Sequence, residues 1–400
     1  MEAGVHSSAD FARVLGIPMN ISSRSALRCL FTATVLGLAS TQAQTVPPPT
    51  PPAAPRPARA GPVVSPELKS DGSVTFRLRA PKATEVKVSG QFGPELTLTK
   101  DDQGLWSGTV PNPKPGVHEY RFVVDGLGVM DPQNSAIKPQ RWPGSSILHI
   151  PSTPAAPWDL QDIPHGVLHE HLYKSTALDA WRRIIVYTPP GVASAGRLPV
   201  LYLSHGYSDN EASWTVHGKA HWILDALIAS KKVRPMIVVM PDAHAIAPGA
   251  AGFEDYGPAN SAALCRELVT DILPLVESSY RVVSKPSSRA FAGLSMGGHH
   301  ALTVALNHHD QFQWIGAFSS APPPTNSVAG GLAHPTAVNR DLRLFWVACG
   351  DKDFLFQRNR EFHGLLESKG IRHDYVETEG DHSWPVWRRY LVDFAPKLFR

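Results

Sequence analysis

The stretch Arg289-Ala290-Phe291-Ala292-Gly293-Leu294-Ser295-Met296-Gly297-Gly298 decides how this chain folds. It opens as an apolar run, tightens into Gly293-Leu294-Ser295-Met296-Gly297, and continues into a helix-forming stretch from Met296 to Asn307. A Gly-x-Ser-x-Gly between strand and helix cramps the serine at a sharp turn, and the flanking glycines let the backbone close without a side-chain clash. Ser295 would then face the helix N-terminus, where the dipole and free N–H groups favour an oxyanion. The pentapeptide alone is a weak signal. Its strand-to-helix setting carries the reading against the plainer one, a Gly-rich turn with a helix-capping serine.

On both sides of it, apolar β runs alternate with helical patterns. Upstream the pattern predicts strands at 183–187, 198–203 and 236–240 and helices at 219–230 and 262–279. Downstream it predicts strands at 313–318 and 342–347 with helices between and after them. Near-continuous apolar strands suit a parallel sheet covered on both faces, and the alternation means a doubly wound α/β domain over 158–400, of the α/β-hydrolase type.

A serine hydroxyl is a poor nucleophile until a base takes its proton, and that base needs a carboxylate to hold its tautomer. In this fold the chain order is Ser, then Asp or Glu, then His. The strand ending in Ala348-Cys349-Gly350-Asp351-Lys352-Asp353 offers two acids, Asp351 and Asp353, which spacing does not separate. The polar loop Glu379-Gly380-Asp381-His382-Ser383-Trp384 supplies the base, His382. Other histidines fit less well. His299 and His300 lie on the helix after Ser295 with poor reach, His308 and His309 suit the dipole at its C-terminal end, and His363 and His373 suit surface positions. Ser204-His205-Gly206-Tyr207 follows an early strand, so Gly206 permits a turn that aims the Tyr207 N–H inward, to join that of Met296 as the oxyanion hole. His205 reads there as a structural loop residue.

The preceding region has a different rhythm. From 63 to 151 short alternating strands such as Val74-Thr75-Phe76-Arg77-Leu78-Arg79 are separated by turns such as Asp101-Asp102-Gln103-Gly104, which predicts a small all-β, immunoglobulin-like sandwich. Residues 44–62 are Pro/Ala-rich and read as a stiff, solvated linker. Residues 1–43 read as an export signal with an overlong start: Arg24 and Arg28 precede an apolar run from Leu30 to Ala39, Thr41-Gln42-Ala43 offers a cleavage site, and Met19 is better placed than Met1 to begin it. The run is too short to span a bilayer. The expectation is a secreted or periplasmic protein.

Composition narrows the partners. The formal charge of +3 is small and dispersed, without basic runs interleaved with aromatics, so nucleic acid is set aside. Cys29, Cys265 and Cys349 form no paired spacing, and Cys265 and Cys349 read as buried free thiols. No HExxH or paired Cys/His spacing points to a metal, and no cofactor is expected. Nothing in the sequence specifies an oligomeric state.

Several of these segments together carry a resemblance. Ile163-Pro164-His165-Gly166, Val186-Tyr187-Thr188-Pro189-Pro190-Gly191, His205-Gly206-Tyr207 to Trp214, Gly293 to Gly298 and Gly380 to Trp384 are similar to the putative-esterase family, which includes feruloyl and acetylxylan esterases, esterase D, enterochelin esterase and mycolyltransferases. Members commonly carry a Cys-Gly-x-x-Asp block, which favours Asp353 as the acid. Gly104-Leu105-Trp106, Gly116 to Tyr120, Val124-Asp125-Gly126 and Asp131-Pro132-Gln133-Asn134 resemble the early-set sandwich fused to many such esterases and related to glycogen-binding modules. Here the loop Gly90-Gln91-Phe92-Gly93 lacks the aromatic-rich stretch of those modules, and Trp106 reads as core. The sandwich is expected to pack against the catalytic domain and wall one side of its cleft.

The resemblance implies a serine esterase forming an acyl-Ser295 intermediate, with feruloyl or acetyl esters of plant polysaccharide as substrates and Trp214, Trp384 and Trp387 as aromatics near the site. Two other readings stand beside it. One is acyl transfer or siderophore-ester hydrolysis with the same residues; the other is a non-catalytic carbohydrate-binding protein on a hydrolase fold.

Overall fold

The computed structural model describes residues 62–247 and 253–400. The leader, most of the linker and Cys29 lie outside them. Among the described residues no helix is long and apolar enough to cross a membrane.

Eight strands form one sheet: β1 (Val167–Ser175), β2 (Ala180–Thr188), β3 (Val200–Ser204), β4 (Ile237–Pro241), β5 (Arg289–Leu294), β6 (Trp314–Phe318), β7 (Leu344–Gly350) and β8 (Asp374–Thr378), in the order 1-2-4-3-5-6-7-8. β3 to β8 run parallel, while β2 is antiparallel to both β1 and β4. The sequence pattern missed β1. Its side chains alternate between exposed and half-buried because it is the outer strand of a hairpin, and polar residues such as Glu170 and Lys174 dilute its apolar signal. β3, β4, β5 and β6 are buried along their whole length. Alternate residues feed two cores: Tyr202, Phe291 and Ile315 on one face, Leu203, Ala292 and Phe318 on the other. Each such leucine, isoleucine or phenylalanine taken from water contributes roughly 1.5–3 kcal/mol.

Helices cover both faces. α1 (Ala220–Ala229) and α5 (Trp384–Phe394) supply residues to the second core, while α2 (Phe253–Glu267), α3 (Met296–Asn307) and α4 (Phe356–Ser368) supply the first. The helix expected at 262–279 begins earlier. α2 starts at Phe253, passes through a wide π turn at Leu268–Ile272 and resumes at Leu273–Ser279. Polar residues in α2, with Gly257 and Pro258, hid its first turns from the apolar pattern. α1 also explains two of the quoted motifs. Its buried Asp225 accepts from Tyr187 Oη at 2.7 Å, from Gly166 N–H at 3.0 Å and from His165 Nδ1–H at 2.8 Å, which pins the chain entry to the sheet.

The N-terminal region forms two small antiparallel sheets. One is built on Val74–Arg79 and Leu105–Val110, the other on Val86–Gly90 and Gly116–Val124 with Ser146–Ile150. Phe76, Val88, Tyr120 and Phe122 fill the space between them. Trp106 belongs to this core: it is 6% exposed and its Nε1 donates to Ala80 O at 2.9 Å. The sandwich is joined to the larger sheet layer through buried Arg388 of α5, which donates to His217 O at 2.9 Å and to Val117 O at 3.4 Å.

Candidate active site

The polar loops that leave the carboxyl ends of β3, β5, β7 and β8 meet in one crevice, where ligands bind in open α/β sheets. Ser295 follows β5 with φ 53° and ψ −110°, a conformation that disfavours any side chain. Its neighbours explain how the turn closes. A Cβ on Gly293 would lie 2.5 Å from the carbonyl carbon of Gly297, and one on Gly297 would overlap Ser204 O. Both glycines are therefore required by contact. The Ser295 backbone is held on the other side by the end of β6 and the loop after it, through Ser295 N–H to Phe318 O at 2.9 Å and Ala321 N–H to Ser295 O at 3.2 Å.

The structure brings Ser295, His382 and Asp353 into one hydrogen-bonded chain. Ser295 Oγ donates to His382 Nε2 at 3.0 Å, and His382 Nδ1–H donates to Asp353 Oδ2 at 2.8 Å with Oδ1 at 3.0 Å. Asp353 is buried and takes a further bond from Leu355 N–H at 2.8 Å, so its carboxylate is fixed before it orients the ring. The Asp351 side chain accepts instead from Gly380 N–H at 3.0 Å. Gly206 packs under the site, a Cβ there falling 3.6 Å from Ser295 Cβ, which places the loop carrying Tyr207 against the serine. Met296 is the first residue of α3, beside Ser295 at its N-cap.

Other histidines have separate partners. His205 is buried, donating from Nδ1 to Gly206 O at 2.8 Å and accepting Ala243 N–H on Nε2 at 2.9 Å. His300 is buried behind the turn between Ser204 Oγ and Asn260 Nδ2, each at 3.1 Å. His299 reaches Ala321 O through Nδ1 at 2.9 Å. His308 caps α3, but burial pulls its pKa down, which weakens the expected cationic role there. His309 pairs with Asp341 at 2.7 Å. His363 and His373 are half-buried and bond each other at 2.8 Å, a pairing that sequence position alone did not suggest.

The two tryptophans expected at the substrate require correction. Trp214 is 1% exposed and Trp384 is 3% exposed. They pack edge to face at 5.1 Å, Trp384 meets Trp387 at 5.4 Å, and Trp387 meets the His382 ring at 5.0 Å. Trp214 also donates from Nε1 to Ser204 O at 3.0 Å. These rings form the buried support behind His382 and offer a substrate no surface. The exposed aromatic beside the base is Phe354, 75% exposed with its ring 4.4 Å from that of His382. On the β3 side Tyr207 is 41% exposed, next to a cavity of about 460 Å³ lined by Arg141, Asn210, Asp242 and His244. A phenylalanine directly after the acid, in a loop with no core to join, was the available sequence signal for Phe354.

Cys265 and Cys349 are buried and unbonded, and burial pushes each thiol up to about 12, so both remain protonated at neutral pH.

The family profile described as Putative esterase matches residues 175–398, and that of Carbohydrate-binding module 48 (Isoamylase N-terminal domain) matches residues 60–139. An endo-1,4-beta-xylanase/feruloyl esterase of Xylanibacter ruminicola is 31% identical over 84% of this chain and 46% of its own length, so the chain spans about half of that relative. An acetyl esterase of Caldicellulosiruptor saccharolyticus is 25% identical over 49% of this chain and 81% of its own. The crystal structure of the enterobactin esterase from Shigella flexneri covers 82% of this chain and 93% of that one, with a TM-score of 0.57 at 20% identity, a likeness of fold. The profile match takes in more than half of the chain, and with it the crevice built on Ser295: the protein belongs to the putative-esterase family, with a module of the carbohydrate-binding 48 type ahead of its α/β-hydrolase fold.

Proposed function

We propose that this protein hydrolyses carboxylic esters through an acyl-Ser295 intermediate and that its preferred acyl group is an aryl one of the feruloyl type, carried on plant polysaccharide. The observation behind the mechanism is the unbroken chain Ser295 Oγ, His382, Asp353 at 3.0 and 2.8 Å. As Ser295 Oγ attacks the ester carbonyl, His382 Nε2 takes its proton while Asp353 holds the Nδ1–H tautomer and stabilises the imidazolium. The N–H groups of Tyr207 and Met296 receive the oxyanion, the second aided by the α3 dipole. His382 returns the proton to the leaving alcohol, the acyl-enzyme forms, and a water activated by the same imidazole releases the acid and restores Ser295.

The aryl preference is supported by exposed Phe354 and Tyr207 on the rim, which offer flat apolar surface, and by the feruloyl esterase named among the relatives. Export through residues 1–43 fits a polymeric substrate outside the cell.

A turnover panel tests the reading with the full chain: methyl ferulate, acetylated xylan, p-nitrophenyl acetate and a catecholate siderophore ester. The expected result is the largest kcat/KM on methyl ferulate. A larger value on acetylated xylan or on the catecholate ester overturns the aryl-polysaccharide assignment, and release of acyl-sugar in place of free acid overturns hydrolysis.

A further inference from the structure

Before its last strand, Ser146–Ile150, the N-terminal module sends a loop away from its own sheets. Ile137 bridges Ser146 and Lys138 Nζ reaches Glu119 at 2.8 Å, which ties the segment to the sandwich. The next residues cross to the loop after β3. Gln140 bridges Asp209 in antiparallel register, Arg141 N–H donates to Ser208 O at 2.9 Å, and Ser213 Oγ donates to Pro139 O at 2.8 Å. That loop carries Tyr207.

The side chain of Arg141 strengthens the same junction. Its guanidinium lies 5.2 Å from the Tyr207 ring centre, 5.9 Å from that of Tyr256 and 5.0 Å from that of Trp142. Both terminal nitrogens are buried. A guanidinium so placed is held by ring faces, an attraction that grows with desolvation. The Tyr207 ring in turn meets Tyr256 at 5.5 Å and His244 at 5.9 Å, both edge on. Inside the loop, His205 and Gly206 fix the backbone against the sheet; outside it, the module does so.

We propose that Arg141 is a positioning residue for the oxyanion donor at Tyr207, so that the N-terminal module is a fixed part of the ester-cleaving site. The proposal rests on the roles given above to Ser295 and Tyr207. A backbone N–H stabilises a developing oxyanion only when it is aimed at where the charge will sit, and the loop that aims it is gripped between two modules. Loosening the outer grip weakens the transition state more than the ground state, so it lowers kcat more than it raises KM.

The discriminating substrate is ethyl acetate, neither end of which is large enough to engage a ring or cation on the module. Arg141→Ala is expected to lower kcat on it about tenfold, a fraction of the roughly 10²–10³ that losing a whole donor costs, with KM within about twofold. Labelling of Ser295 by a fluorophosphonate is expected to slow by a similar factor, because the phosphonyl oxygen uses the same donors. Arg141→Lys retains the cation without the planar fork and is expected to recover part of the rate. Ser213→Ala cuts the bond to Pro139 and gives a smaller fall; it carries the test if Arg141→Ala does not fold. Unchanged kcat and labelling rate in folded variants would overturn the proposal, as would an effect confined to KM. If the unaltered protein turns over no ester and takes no label, the esterase reading fails and this one falls with it; if it does both and the variants match it, only the clamp fails.

Discussion

Two serines follow neighbouring parallel strands, and both adopt a conformation that side chains avoid. Ser295, after β5, has φ 53°, and Ser319, after β6, has φ 45°. Ser295 is half-buried and bonds His382, whereas Ser319 is fully buried and its hydroxyl has no partner among the described residues. The difference lies in what each turn does for the other. At Ser319 the chain bends under the elbow, with Ser319 N–H donating to Ala348 O at 2.7 Å, and two residues later Ala321 N–H reaches Ser295 O. A Cβ on Gly298 would fall 2.5 Å from Ser320 Oγ, so α3 leans directly on this second loop. One strained serine presents a hydroxyl and the other turns the chain that braces it. Strain marks both, and only an adjoining base makes a nucleophile.

The sharpest break of this comparison is at Ser295 itself. Ser295→Ala is expected to lower kcat on methyl ferulate by about 10⁴-fold or more while leaving the melting temperature nearly unchanged, since alanine keeps the same positive-φ backbone and only the hydroxyl is lost. Ester turnover retained by that variant would mean that another residue is the nucleophile. Asp353→Asn comes next, with a fall of about 10²–10⁴ in kcat: the amide can donate to Nδ1 and fix the wrong tautomer of His382. Asp351→Asn, one turn of the loop away, is expected to leave kcat within about threefold, and equal losses for both would undo the assignment of the acid.

How much of this was legible beforehand follows from where each signal lies. The elbow was readable because its strand, its Gly-x-Ser-x-Gly and its helix follow one another directly in the chain, even though Gly297 is required by the distant Ser204 O. Ser319 was not, since Phe318-Ser319-Ser320-Ala321 carries no glycine and its bend is imposed by β7 and α3. Asp351 and Asp353 could not be separated by spacing because the choice is made by His382, distant in sequence and brought in by β8. Trp214 and Trp384 were expected at the substrate because large aromatics near a site serve both to fill and to bind, and only burial distinguishes the two. β1 escaped notice because a half-exposed strand carries little apolar periodicity, and the early turns of α2 because their sequence is polar and broken by Gly257 and Pro258.

The buried histidines give a weaker but broader test. Burial lowers the pKa of His299 to about 4 and of His221 to about 4, and pulls His300 and His217 well below the usual range. In the unfolded chain each titrates near 6.5. The unfolded state therefore takes up protons that the native state refuses. The stability that neutral His299 and His221 contribute is complete above about pH 6.5 and is lost as pH falls from there through about 4, on the order of 1–2 kcal/mol each by pH 5, and His300 and His217 act in the same direction. A melting temperature that stays flat between pH 7.5 and 5 would contradict this. His299 is the informative member because its Nδ1–H reaches Ala321 O and joins the two serine loops. His299→Gln is expected to flatten the acid limb and to lower kcat slightly at neutral pH.

The smallest expected effect falls on Ser319 and bears most directly on the contrast between the two turns. If its role is only to bend the chain, glycine should do the same with less strain, and the change also removes a buried hydroxyl without a partner. Relief of positive φ is worth about 1 kcal/mol, and the unpaired hydroxyl adds a comparable amount. Against these stands the greater freedom of glycine in the unfolded chain, about 0.5–1 kcal/mol. Ser319→Gly is thus expected to stabilise the protein by about 1 kcal/mol in denaturant melts and to leave kcat within about twofold. The same substitution at Ser295 removes the nucleophile and gains stability without activity. A tenfold loss of kcat in Ser319→Gly would show that the brace needs the stiffness of a residue with a side chain, because a looser bend would let the Ser295 carbonyl and the start of α3 drift from His382.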